Sequence, residues 1–145
     1  AVMMDIKTGD YKTLTQKSLE VSKGENVSVL IDEMWRLMSD HNGCGLAANQ
    51  VGSLLRVIVV STDGFTGEII NPIISNGSFT KNSKEGCLSF PDSLKTIKRF
   101  NKITVEGFDR DWNPIKKNLR ALSAFCVQHE VDHLNGITII NKGLG

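Results

Sequence analysis

A chain of 145 residues with 40% hydrophobic and 23% charged side chains is long enough for one domain, residues 1–145, around a single core. A net charge of +1 gives no bulk attraction to DNA or an anionic membrane, and no apolar run reaches the length of a membrane-spanning helix. The stretch Ala1 to Asp10 has no signal-peptide core, and three cysteines without framework spacing point to a reducing, cytoplasmic compartment.

From Met3 to Lys23 the chain is mixed and polar, with Leu14 and Leu19 expected as its anchors. Asn26 or Ser28 can cap a helix reaching about His41. Its buried stripe would be Val27, Leu30, Ile31, Met34, Leu37 and Met38. Trp35 reads as core packing. Gly43 to Gln50 holds two glycines and two alanines, which implies close backbone approach. Gln50 ends that run, where its amide can donate to a developing oxyanion; the stretch also fits a plain helix-to-strand connection.

Leu54 to Ser61 is β-branched and apolar, a buried strand. Thr62 to Gly67 reads as a turn, and Glu68 to Ser75 as a strand with Pro72 at an edge or a bulge. Asn76 to Lys84 is polar and expected to be an exposed connection. Gly86 lets the chain turn before Cys87, and Pro91 stiffens the backbone beyond the thiol. Lys102 to Asp109 alternates, with Ile103 and Val105 on one face. Asp109 to Pro114 is a turn, and Ile115 to Leu119 returns as a short strand.

Leu119, Leu122, Cys126, His129 and His133 have a three/four spacing, predicting a helix whose apolar stripe continues into two histidines, with Gly136 as its C-cap. His129-Glu130-Val131-Asp132-His133 is an HExxH. Residues four apart share a helix face, so both imidazoles can reach one divalent metal, and Glu130 can act as general base toward its water. A catalytic site of this kind needs a third protein ligand. Leu134 to Gly145 contains no His, Asp, Glu or Cys, so the ligand must lie upstream. Cys126 sits too far along the helix axis from a metal between the histidines. Cys87 is favoured, and spacing alone leaves Cys44 open. Ile137, Ile139 and Ile140 suggest a last extended piece.

Three segments together resemble the peptide deformylases: Gly43 to Gln50 as G-x-G-[apolar]-A-A-x-Q, Glu85 to Ser89 as E-G-C-L-S, and Gln128 to His133 as Q-H-E-x-D-H. The likeness runs from about residue 5 to about residue 140, and Arg99 lies in a segment similar to the family's. It implies an α+β fold, antiparallel β-strands around a central HExxH-bearing helix, with the Val27 to His41 helix packed outside. It also implies metal ligation by Cys87, His129 and His133, with Glu130 as base and Gln50 and the Leu88 N–H as oxyanion donors. The implied reaction is removal of the N-formyl group from the N-terminal formyl-methionine of nascent peptides, releasing formate. The methionine pocket would be walled by Gly43, Cys44, Gly45, Leu122, Phe125 and Cys126, together with His129. Cys44 and Phe125 stand at positions often aliphatic in relatives.

Cys-His₂ coordination suits zinc on general grounds; the resemblance implies Fe(II), with nickel, cobalt or zinc able to occupy the site. Many bacterial relatives continue into a long C-terminal helix associated with ribosome docking. Here 12 residues come after His133. The chain in this respect is similar to short, phage-type deformylases, and any transient ribosome association would proceed without that helix. A different HExxH metallopeptidase would need a downstream or acidic third ligand, and a structural metal domain would need neither Glu130 nor Gln50.

Overall fold

The computed structural model describes residues 4–142; Met3 and the rest of both ends lie outside that range. Five strands form one antiparallel sheet in chain order: β1 (Gly45–Ala47), β2 (Val57–Thr62), β3 (Phe65–Cys87), β4 (Phe90–Phe108) and β5 (Pro114–Arg120). Two α-helices flank it, α1 (Ser28–Asp40) and α2 (Ala121–Leu134). This is the α+β arrangement expected.

The helices take opposite faces of the sheet. Val57, Val59 and Ile70 pack with Leu30, Ile31, Met34 and Leu37 of α1. Ile58, Val60, Ile69, Ile103, Val105 and Leu119 pack with Ala124, Val127 and Leu134 of α2. Covering both faces explains why Val57 to Val60 is continuously apolar rather than alternating. Trp35 is half-buried against the α1 core, and its indole N–H donates to Glu68 Oε1 at 3.4 Å.

Local chemistry sets the element ends. The N-cap of α1 is Val27, without a side-chain cap, rather than Asn26 or Ser28; Asn26 Oδ1 accepts from the Ser28 N–H at 2.9 Å just ahead of the helix. At the end of α2, Gly136 (φ +75°) supplies the left-handed residue of a Schellman closure, its N–H donating to His133 O and that of Ile137 to Asp132 O, both at 2.9 Å. Near Pro72 the β3–β4 register shifts between Ile70 and Ile73, so the proline sits at a bulge of an internal strand.

Several expectations are corrected. Leu14 is fully buried, but Leu19 is 68% exposed and contributes only backbone bonds, to Leu54 and Arg56. The expected turn Thr62 to Gly67 is just Asp63-Gly64, because Thr62 pairs with Phe65 across a two-residue Asp-Gly loop. Asn76 to Lys84 is no loose connection: it is the middle of β3, paired with β4 down to Cys87↔Phe90. Residues 137–142 form turns instead of an extended piece, since Thr138 Oγ1 accepts from the N–H groups of Ile140 and Asn141 and Asn141 Oδ1 accepts from the Thr138 N–H.

Candidate active site

Three elements converge at one point. α2 presents His129 and His133, the end of β3 presents Cys87, and the 3₁₀ turn Ala48–Val51 after β1 presents Gln50. The Nε2 atoms of the histidines are 3.2 Å apart, and Cys87 Sγ is 3.3 Å from His133 Nε2. Ligating atoms of these three residues all lie within 4.8 Å of one another. Cys44 is not part of the group, since its sulfur faces Cys126 at 3.3 Å. Of Cys44 and Cys87, it is Cys87 that lies beside the two histidines.

A metal fits this donor set. Two imidazole nitrogens facing each other at hydrogen-bond distance repel unless a proton or cation lies between them. The His129–His133 and Cys87–His133 separations are close to the edges of roughly 3.3–3.6 Å set by a tetrahedral ion with bonds of about 2.0–2.3 Å. His129 Nδ1 is occupied by Glu85 Oε1 at 2.9 Å, which leaves Nε2 for the centre. Burial pushes His133 well below its usual pKa, toward the neutral form a ligand needs. For His129 burial acts the same way, but Glu130, the Cys87 thiol and Glu85 outweigh it and hold the imidazole well above its ordinary value.

A charge network supports the ligands. Arg99 is buried between two carboxylates, donating to both oxygens of Glu85 at 2.9 and 2.8 Å and to Asp132. Burial alone would raise the Glu85 carboxyl, but Arg99 and His129 bring it down to about 2. Asn49, fully buried, donates its amide to the His133 carbonyl and to Thr13 O, tying the second ligand's turn to the 3₁₀ segment.

Glu130 stands apart from that network. Its Oε1 is buried without a partner, and burial raises its carboxyl to about 8, helped by Cys44 and Glu85 and opposed by His129. Gln50 is fixed from behind by the Ala47 N–H on its Oε1 at 3.0 Å. Its Nε2 is thereby aimed at Ser89 Oγ (3.1 Å) and Cys87 Sγ (3.6 Å). Leu88 lies on the turn between β3 and β4, next to the thiol.

These groups open into a cavity of about 450 Å³, whose walls include Gly43, Cys44, Gly45, Leu122, Phe125 and Cys126. Gly45 is forced to be small: a Cβ there would lie 2.7 Å from both Cys126 Sγ and Glu130 Oε2. Leu122 does not continue the buried stripe expected of it. It is 61% exposed on the first turn of α2, at the cavity's edge, while Leu119 belongs to β5.

Comparison with known proteins agrees with this architecture. The polypeptide deformylase profile matches residues 3–143. The chain belongs to the polypeptide deformylase family. It is 40% identical to peptide deformylase 1 of Corynebacterium glutamicum over 92% of this chain and 82% of the relative. It is 38% identical to the peptide deformylase of Pelotomaculum thermopropionicum over 98% and 92%. Among solved structures, the PDF of Vibrio parahaemolyticus bacteriophage VP16T in complex with actinonin superposes with a TM-score of 0.92 at 47% identity, covering 94% of this chain and 100% of that one. The Thermotoga maritima enzyme gives 0.91 at 33%, covering 97% of each.

Membership makes the chain a metalloenzyme of the hydrolase class. No helix among the described residues is long and apolar enough to cross a membrane. Reading the sequence missed the roles of Glu85, Arg99, Asp132 and Asn49. Three of these stand inside the deformylase-like motifs, so the signal was their presence there beside the ligands; their contacts span 14 to 84 positions and leave no local pattern.

Proposed function

We propose that this chain removes the N-formyl group from the N-terminal formyl-methionine of newly made polypeptides, releasing formate. The observation that carries the reading is the Cys87/His129/His133 cluster opening, beside a buried Glu130, into a cavity whose wall at Gly45 is crowded by the Cys126 and Glu130 side chains.

The metal would be held by Cys87, His129 and His133. When bound, it supplies an acidified water and polarises the acyl oxygen. Glu130, as the carboxylate, accepts a proton from the attacking water and returns it to the departing amine. Gln50 Nε2 and the backbone N–H of Leu88 donate to the developing oxyanion, and Gln50 needs no reorganisation because Ala47 already holds its amide. The crowding at Gly45 favours the smallest acyl group, formyl. The apolar stretch of Cys44, Leu122, Phe125 and Cys126 receives the methionine side chain.

Fe(II) is the metal we assign, with nickel, cobalt and zinc able to substitute; a thiolate ligand to Fe(II) belongs in a reducing compartment. We place the enzyme in the cytoplasm of a bacterium or of a phage-infected bacterial host, meeting nascent chains by transient ribosome association.

The test is formate release from a formyl-Met tripeptide, using protein prepared anaerobically with Fe(II) or with nickel. Formate in step with new free amine, absent with the unformylated peptide, is expected. Protein carrying one metal per chain that releases no formate but cuts internal peptide bonds would overturn the reading in favour of a metallopeptidase.

A further inference from the structure

Two thiols in the cavity wall, placed above in the methionine pocket, take no part in the bond-breaking steps. Cys44, just before β1, is exposed, and Cys126, on α2, is 5% exposed. Their sulfurs are 3.3 Å apart, inside the roughly 3.5–4.0 Å of ordinary non-bonded contact. The Cys126 thiol also reaches Cys44 O at 3.2 Å. Backbone packing holds this approach: the residue after Cys44 is Gly45, whose missing Cβ is what gives the Cys126 sulfur its room. The third thiol, Cys87, is turned away toward the histidines. One sulfur that solvent can reach, and one buried behind it, make a dithiol with a defined order of reaction.

We propose that Cys44 and Cys126 form an oxidisable site, closed by a peroxide to a disulfide that ties β1 to α2 across the substrate cavity. Cys44 sulfur attacks one peroxide oxygen, the O–O bond breaks, and water leaves after taking the thiol proton, giving a sulfenic acid. Cys126 sulfur then attacks Cys44 sulfur; the S–S bond forms, the S–O bond breaks, and hydroxide departs with the Cys126 proton as a second water. Two thiols and one hydrogen peroxide become one disulfide and two waters. Closure to about 2.05 Å needs the sulfurs to approach by on the order of 1 Å. The cavity wall is thereby redrawn where a substrate side chain would lie. That last consequence rests on the deformylase reading; the cross-link itself does not.

The experiment treats nickel-loaded protein with hydrogen peroxide, blocks remaining thiols, and maps unreduced peptides by mass spectrometry. We expect a Cys44–Cys126 linked pair, an intact mass lower by two hydrogens, and reversal by a phosphine reductant. Cys44→Ala should give no link. Cys126→Ala should leave Cys44 trappable as sulfenic acid by dimedone. In parallel, kcat/KM on a formyl-Met peptide should fall on the order of tenfold to a hundredfold, the cost of a ~1 Å misplacement, and recover on reduction. Cys44→Ala, measured against its own untreated value, should lose far less. Both thiols still alkylatable after peroxide, or a link to Cys87 instead, would overturn the site. A clean Cys44–Cys126 link with unchanged turnover would overturn the effect on the cavity while leaving the site standing. A chain without any deformylase activity would still report the link, so the two readings fail separately.

Discussion

At the scale of single residues, Glu130 is held in an environment far from that of a surface carboxylate. A carboxyl buried with one oxygen unpartnered costs the fold free energy, and the cost is tolerable because burial favours its protonated form. Its role as base calls for the ionised form, which the positive charge of a bound metal ion would favour. Glu130→Gln keeps the shape and removes the function, so metal content by elemental analysis should stay at one per chain while turnover falls about 10²–10⁴-fold. Unchanged turnover would discard Glu130 as the base. Glu85 behaves in the opposite sense. Its carboxyl is held near 2 against an ordinary 4.5, because Arg99 and His129 outweigh burial. A depressed folded-state pKa stabilises the fold above the ordinary value and loses that stabilisation as pH falls through 4.5 toward 2. Urea unfolding of metal-free protein at pH 6 and pH 3 should therefore show wild type losing more stability than Glu85→Gln over the same interval. Equal losses would sink the assignment.

At the scale of elements, what sequence could and could not reveal divides along hydrophobic pattern. α1 and β2 were legible because one carries a clean 3.6 stripe and the other an unbroken β-branched run, each buried against the core. The long β3–β4 ribbon was not. From Asn76 to Glu85 the outward side chains are polar apart from the exposed Phe79, and the buried ones, Ser83 and Glu85, are polar as well, so alternation of polarity carries no signal. The HExxH helix was readable through its chemistry rather than its periodicity, and for that reason its first turn was misread. Leu122 looks like a stripe residue until the cavity is seen beneath it. Within the ribbon, Gly107 marks a place where the strands leave no room. A Cβ there would sit 2.7 Å from the Ile70 carbonyl oxygen, next to the register shift at Ile70/Ile73. Backbone cannot swing aside as a side chain can. Gly107→Ala should lower stability by about 1–3 kcal/mol in urea unfolding; an unchanged midpoint would mean the bulge absorbs the methyl group.

On the scale of the whole molecule, the metal centre is also a tie between layers. Cys87 belongs to the end of β3 and the histidines to α2, so a bound ion would join the sheet to the helix that covers it. Apart from the ion, α2 is held to the sheet by the apolar packing of Ala124, Val127 and Leu134 on Ile58, Val60 and Ile103, and by the Arg99–Asp132 ion pair. Unfolding scatters the three ligands, so binding stabilises the folded chain by mass action: about 2.7 kcal/mol at a free metal concentration one hundred times Kd. For a chain of this length that corresponds to a rise in Tm of roughly 10 °C. Thermal melts with nickel and with a chelator should differ by about that amount. The ligand set decides which variants keep the difference. Cys87→Ala should lose metal and show nearly coincident melts, since two imidazoles from one helix cannot bridge the layers. Cys126→Ala should keep both metal and the gap, because its sulfur faces Cys44 and takes no part in the cluster. The reverse pattern, with metal lost from Cys126→Ala and kept by Cys87→Ala, would require a different third ligand and a different path by which the sheet is held to the helix.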